Sequence, residues 1–284
     1  MKSVVWALCL LLPQLAWSEP LHLTVSIMPQ KYFVEKITGN TVSVNVMVPP
    51  GADPHTYEPK PRQMMELQQS KLYFSIGIEF ENIWLPRFKD INTNMQIIPT
   101  DQGIPKLGGQ IESFEEESDH QHEWLDPHIW LSPLLVKIQI VHMLQALIRL
   151  NPEQTELYQQ NYQRFQAELD QLHFELQQRF QTAESKTFLV FHPVWGYFAQ
   201  AYGLTQVPIQ IGGKEPKPGQ LKMMILAARK QGIHTLFLQP QISSRTADLV
   251  SRETGASLIV LDPLAYDWPA TLKTATQHIC SPHN

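Results

Sequence analysis

The chain has 284 residues, with 22 Lys and Arg against 27 Asp and Glu, a formal net charge of −5 at pH 7 and only two cysteines. Such a balance leaves no basic footprint for nucleic acid, and two thiols cannot build the disulfide framework of a small staple-dependent domain. A chain this long exceeds the usual single core, which makes two domains of ~100 to 150 residues the default expectation.

The N-terminus predicts export. Lys2 is followed by an uncharged apolar stretch over residues 4–12 and then by Ala16-Trp17-Ser18. This is the order of a secretory signal peptide, with small residues at the cleavage positions and an apolar core too short to span a bilayer. Cleavage is expected after about Ser18, which places the mature chain outside the cytoplasm. Cys9 does not read as a lipoprotein cysteine, because Leu8 stands where a small residue is needed and the apolar run continues past it. Loss of Lys2 leaves 21 Lys and Arg against 27 Asp and Glu, a formal charge of −6, and Cys280 becomes the sole thiol, so no intramolecular disulfide can form. No later segment approaches the ~18 consecutive apolar residues of a membrane helix, so no direct membrane insertion is expected.

Along the mature chain, β-branched or apolar runs at 23–27, 42–48, 72–76, 188–191, 235–238 and 258–261 predict strands. Helical patterns at 30–37, 62–70, 133–150, 219–231 and 246–254 alternate with them. Alternation of this kind predicts an α/β fold with largely parallel sheets. Between the two sets of strands, Tyr158, Tyr162, Phe165, Leu169, Leu172, Leu176 and Phe180 recur at spacings of three and four. They predict one long amphipathic helix over 152–182, with Asn151 as its cap, Pro152 at its first position and Gln154 reaching back. At ~1.5 Å per residue it would run roughly 45 Å. A coiled-coil dimer seam would show more heptads, so a rigid spine is expected. The division is then a signal peptide at 1–18, an N-terminal lobe at 19–150, the spine at 151–184 and a C-terminal lobe at 185–284.

Residues 108–123 form a polar stretch that carries three glutamates at 115–117, Asp119, His120, His122 and Glu123. A charge run of this kind is usually a solvated surface. The functional alternative is a secondary, weak metal loop through His120 and His122.

Eleven histidines are present, and four positions share a setting. His55 lies in Gly51-Ala-Asp-Pro-His-Thr-Tyr57, a Pro-rich loop after a predicted strand; His128 lies in Asp126-Pro-His-Ile-Trp-Leu-Ser132, just before a helix. His192 and Asp262 each follow a predicted strand and precede proline. In open α/β sheets, ligands bind beyond the carboxyl ends of the strands. Three imidazoles and a carboxylate would make a four-coordinate nitrogen and oxygen site suited to zinc, with no thiolate for an oxidising compartment to consume. Spacing alone leaves their convergence open.

The motifs Pro54-His-Thr-Tyr-Glu-Pro-Lys-Pro61, Asp126-Pro-His-Ile-Trp-Leu131, His192-Pro-Val-Trp-Gly-Tyr-Phe198 with Tyr202-Gly-Leu204, and Asp262-Pro-Leu264 resemble those of the periplasmic zinc-binding proteins of bacterial ABC transporters, the metal-specific solute-binding class with a helical spine. The resemblance runs through essentially the whole mature chain. It implies two lobes joined by one long helix, and metal ligation by the histidines of the first two motifs, the residue heading the third and the aspartate of the last: His55, His128, His192 and Asp262. Manganese-binding relatives carry a carboxylate at the third position, so His192 points to Zn2+. The implied function is high-affinity zinc capture and delivery to a membrane permease with its ATPase, by a monomer. The chain departs from many zinc members in its short histidine loop and its missing disulfide.

Three other readings stand beside this one. A manganese- or iron-binding protein or a metal-binding adhesin could use the same fold. A zinc hydrolase would need an open coordination position with a nearby general base, and the sequence has no His-Glu-x-x-His helix. No enzymatic activity is therefore expected.

Overall fold

The computed structural model describes residues 21–54, 56–108, 125–211, 213–242 and 244–281. The signal peptide and its cleavage position, His55, and residues 109–123 of the polar stretch, with His120 and His122, lie outside the described residues.

The first half alternates β1 (Leu21–Val25), α1 (Met28–Thr38), β2 (Val42–Val46), α2 (Pro61–Gln69), β3 (Leu72–Ser75), α3 (Glu79–Ile91) and β4 (Gln96–Pro99). Then come α4 (Pro133–Leu150) and α5 (Thr155–Gln181). The second half repeats the pattern with β5 (Thr187–Val190), α6 (Gly196–Tyr202), β6 (Thr205–Pro208), α7 (Pro218–Lys230), β7 (Thr235–Leu238), α8 (Arg245–Thr254), β8 (Ser257–Val260) and α9 (Trp268–Cys280). Two parallel four-stranded sheets result, ordered β2-β1-β3-β4 and β6-β5-β7-β8. In each, the chain returns from the edge over the first strand to that strand's other side after its second strand, so a switch point opens between β1 and β3 and again between β5 and β7.

The two-lobe α/β expectation holds, and the elements it omitted have physical reasons. β4 and β6 are short edge strands that end in proline, so little apolar alternation marks them. α3 carries Pro86 inside it, and α6 is only seven residues long. α9 buries Thr271, Ala275 and Thr276 alongside Trp268, Leu272 and Ile279, so small and polar residues dilute the apolar stripe by which a helix is recognised. Except for 235–238, the predicted strands overran by one or two residues, although Met47 and Val48, beyond the end of β2, still donate their N–H groups to the Val25 and Ser26 oxygens.

The spine is present, with one correction. Asn151 makes no side-chain cap; a 3₁₀ turn over Pro152–Gln154 leads into α5 instead, and the Thr155 hydroxyl closes it on the Pro152 oxygen at 2.7 Å. Six of the seven predicted stripe residues are buried, Tyr162 being half-buried. They pack against α1, α4 and α9: Phe33 of α1 sits between Phe165 of the spine, tilted against it, and Trp268 of α9, edge to face, with ring centroids 6.1 and 5.2 Å away. The stripe is consumed within the chain. α4 is long and apolar enough to cross a bilayer, but Val136, Ile140, Met143 and Leu147 are buried and the helix packs on α5.

One apolar core runs from the first sheet across α5 to one face of the second, where Phe188, Val190 and Phe237 join it. Leu189, Phe191, Leu236 and Leu238 point to the opposite face and form a separate cluster with α7 and α8. The alternation along β5 and β7 is the period of two that sends successive side chains to opposite faces. A core continuous between the lobes holds them in a defined relation.

Candidate metal centre

A cavity of about 350 Å³ lies between the halves, lined by Asp53 and Pro54 from the β2–α2 connection, Glu79 at the start of α3, His128 and Trp130 from the segment before α4, and His192, Gln210, Gln239 and Gln241 from beyond the ends of β5, β6 and β7. His192 and Gln239 both sit beside the second switch point, because β5 and β7 flank it. Ligand sites in parallel sheets form there for a simple reason: the crossovers diverge and leave strand ends uncovered.

His128 is 5% exposed, and its ring centroid lies 6.1 Å from that of His192. These two residues, 64 positions apart in sequence, are brought to one cavity by the docking of the lobes. Each ring is oriented through Nδ1. The His128 Nδ1 lies 2.7 Å from Asp126 Oδ1, and the same oxygen accepts the His128 backbone N–H at 2.9 Å. His192 Nδ1 lies 2.9 Å from Gln210 Oε1. An oxygen acceptor at Nδ1 fixes that nitrogen as the protonated one and leaves the lone pair on Nε2, the arrangement a metal-binding imidazole requires. Trp130 packs beside His128, with ring centroids 5.1 Å apart.

Asp262 follows β8 directly, as its place in the sequence predicts. Its Oδ1 accepts the Gln241 side-chain N–H at 3.1 Å and the Leu264 backbone N–H at 2.9 Å, and the next two residues, Pro263 and Leu264, line the cavity. The structure thus brings His128 and His192 together. Among the described residues, no three His, Cys, Asp or Glu side chains form a group that could hold a metal ion, so Asp262 is not drawn into one with them. Two histidines outside the motifs are engaged elsewhere: His142 Nε2 on the Gln102 oxygen at 3.0 Å and His173 Nδ1 on the Tyr202 hydroxyl at 3.1 Å.

Sequence reasoning missed Asp126, Gln210 and Gln241, the side chains that hold the candidate ligands. Asp126 stands two residues before His128 within a motif already singled out, so its spacing was a usable signal. Gln210 had none. Only the parallel pairing of β5 with β6, continued by the Gln210 N–H on the Phe191 oxygen at 3.0 Å, sets it beside His192.

The family described as zinc-uptake complex component A, periplasmic, matches residues 23–279. The chain belongs to that family. It is 28% identical over 253 residues to the high-affinity zinc uptake system protein ZnuA of Bacillus subtilis, covering 87% of this chain and 79% of that protein. A crystal structure of ZnuA superposes with a TM-score of 0.85 at 41% identity, covering 92% of this chain and 98% of the other. A zinc-bound ZnuA deletion mutant gives a TM-score of 0.84 at 40% identity, covering 94% and 100%. The chain is therefore a solute-binding protein of the zinc-uptake class, a component of an ABC transporter that works outside the cytoplasm.

Proposed function

We propose that the chain captures one zinc ion in the cavity between its lobes and delivers it to the permease of an ABC transporter and its ATPase, with His55, His128, His192 and Asp262 as the ligands. Zinc is cargo here, and no bond in it or around it is made or broken except coordination. The observation that carries the reading is the meeting of His128 and His192 across the lobes, each ring held at Nδ1 by an oxygen. A pair of preoriented nitrogen donors favours zinc over manganese, which prefers oxygen-rich sites. Asp53 and Glu79 on the cavity wall add negative charge that attracts a dication. Gln241 and the Leu264 N–H orient Asp262 as the carboxylate ligand.

The division into lobes at 19–150 and 185–284 about a spine at 151–184 belongs to this reading, as does cleavage after Ser18. A monomer is favoured because the apolar stripe of the spine is buried against α1, α4 and α9. His120 and His122 supply a secondary, weaker site. Nothing in the arrangement calls for catalysis, since a closed set of four protein ligands leaves no position for a reacting water.

The test is native mass spectrometry with metal analysis on protein taken from the periplasm without added metal. One zinc per chain is expected. Stoichiometric manganese or iron in its place would overturn the reading.

A further inference from the structure

Gly196 opens α6 within Trp195-Gly-Tyr197, a part of the third motif that metal ligation does not account for. It is absent from the glycines with positive φ, so its backbone would accept any residue, and in a helix alanine would be the better former. Space is what requires glycine there. A Cβ on Gly196 would stand 2.7 Å from Asp126 Oδ2, 3.3 Å from Gln206 Nε2 and 3.5 Å from Leu107 Cδ1.

Both polar neighbours are held by hydrogen bonds. The Asp126 N–H donates to the Leu107 oxygen at 2.8 Å, and the Asp126 carbonyl accepts the Tyr197 hydroxyl at 2.7 Å, which in turn accepts the Leu107 N–H at 2.9 Å. Gln206 is held by the Trp195 N–H on its Oε1 at 3.0 Å. With its backbone pinned on both sides, Asp126 could clear a side chain at 196 only by turning its carboxylate. That rotation would break the 2.7 Å contact between its other oxygen and His128 Nδ1.

We propose that Gly196 is a positioning residue for zinc capture: the space it leaves seats the Asp126 carboxylate against the C-terminal lobe, and Asp126 thereby holds His128 as the Nδ1–H tautomer with Nε2 as the donor. A residue of one lobe thus sets the aim of a ligand on the other. The inference rests on the reading of His128 as a zinc ligand.

The experiment is a double-variant cycle on the full mature chain, with zinc affinity read by chelator competition and the His128 tautomer read by ¹⁵N chemical shifts in metal-free protein. G196A and D126A should each weaken zinc binding by roughly 10- to 100-fold, the range for groups that orient a ligand. Both should also erase the Nδ1–H preference of His128. The combined variant should bind no more weakly than D126A alone, because the carboxylate that the added methyl group displaces is already gone. A G196A protein with undiminished affinity, or effects that multiply in the combined variant, would overturn the proposal. If G196A alone does not fold, recovery of folding in the combined variant is expected, and continued failure there would also overturn it. H128A separates this inference from the ligand assignment: unchanged zinc affinity in H128A sinks the assignment, whereas weak binding in H128A with normal binding in G196A sinks only the role of Gly196.

Discussion

Trp268 donates its indole N–H to the backbone oxygen of Trp130 at 2.7 Å, and Trp130 donates its own to the backbone oxygen of Pro263 at 2.9 Å. Both indoles are 1% exposed. The pair ties the segment after His128 to the segment after Asp262, so two candidate ligands from opposite lobes are held by one buried junction. A buried donor or acceptor left without its partner costs about 1–3 kcal/mol. Trp130→Phe and Trp268→Phe should therefore each lower unfolding free energy by roughly that amount or more, since a ring is also shortened. Urea denaturation measures this, and two values below ~0.5 kcal/mol, the range of ordinary surface changes, would mean that the junction contributes little.

Replacing His128 or His192 by Ala removes a proposed donor and should weaken zinc binding beyond the ~100-fold reached by changes behind the ligands. His142 and His173, each already hydrogen-bonded outside the cavity, serve as controls, and their Ala variants should bind zinc as the parent does. Similar losses at control and ligand positions in a chelator titration would refute the assignment.

His192→Glu tests selectivity at a single position. It exchanges a nitrogen donor held by Gln210 for oxygen donors, which suit a harder ion that accepts more than four donor atoms. Zinc remains the tighter ion in absolute terms, as the Irving–Williams order requires. The ratio of zinc to manganese affinity should fall at least about tenfold, ~1.4 kcal/mol of differential binding. An unchanged ratio at one pH would remove His192 from the ligand set.

Glu81 gives a pH dependence independent of the cavity. Its carboxylate is 3% exposed at the first switch point, where Ser26, Ile76 and Gly77 donate hydrogen bonds to it, yet burial raises its pKa from 4.5 to about 7. Between those values the folded chain holds a proton that the unfolded chain has released. Stability contributed by this group is thus full below about 4.5 and lost as pH rises to about 7, after which it levels. Glu81→Gln should flatten that slope in urea midpoints taken from pH 5 to 8. A slope of the same size in the variant would assign the dependence to other groups.

The architecture was legible where local physics decides it. The spine announced itself because Tyr158 through Phe180 repeat at helical spacing, and one face of α5 is buried along its length. Strands with apolar residues on both faces, such as β3 and β7, were plain for the same reason. The candidate ligands stood out as polar residues beside prolines at the ends of such elements. α9 and the edge strands β4 and β6 escaped because their burial depends on neighbours distant in sequence, against which a threonine or a half-exposed valine is sufficient.

By itself the sequence determined the alternation of strand and helix, the long spine and the chemistry available at four loop ends, since each depends on residues near one another along the chain. Only the tertiary structure decided which of those residues meet and how they are aimed. His128 and His192 face one cavity because a core continuous through α5 docks the lobes, and Gln210 reaches His192 because β6 pairs with β5 in one register. Asp126 can hold His128 because the helix packed over it begins with a residue that has no side chain. Contacts of this kind are set by shape at close range between distant segments, a quantity that no local pattern of residues encodes.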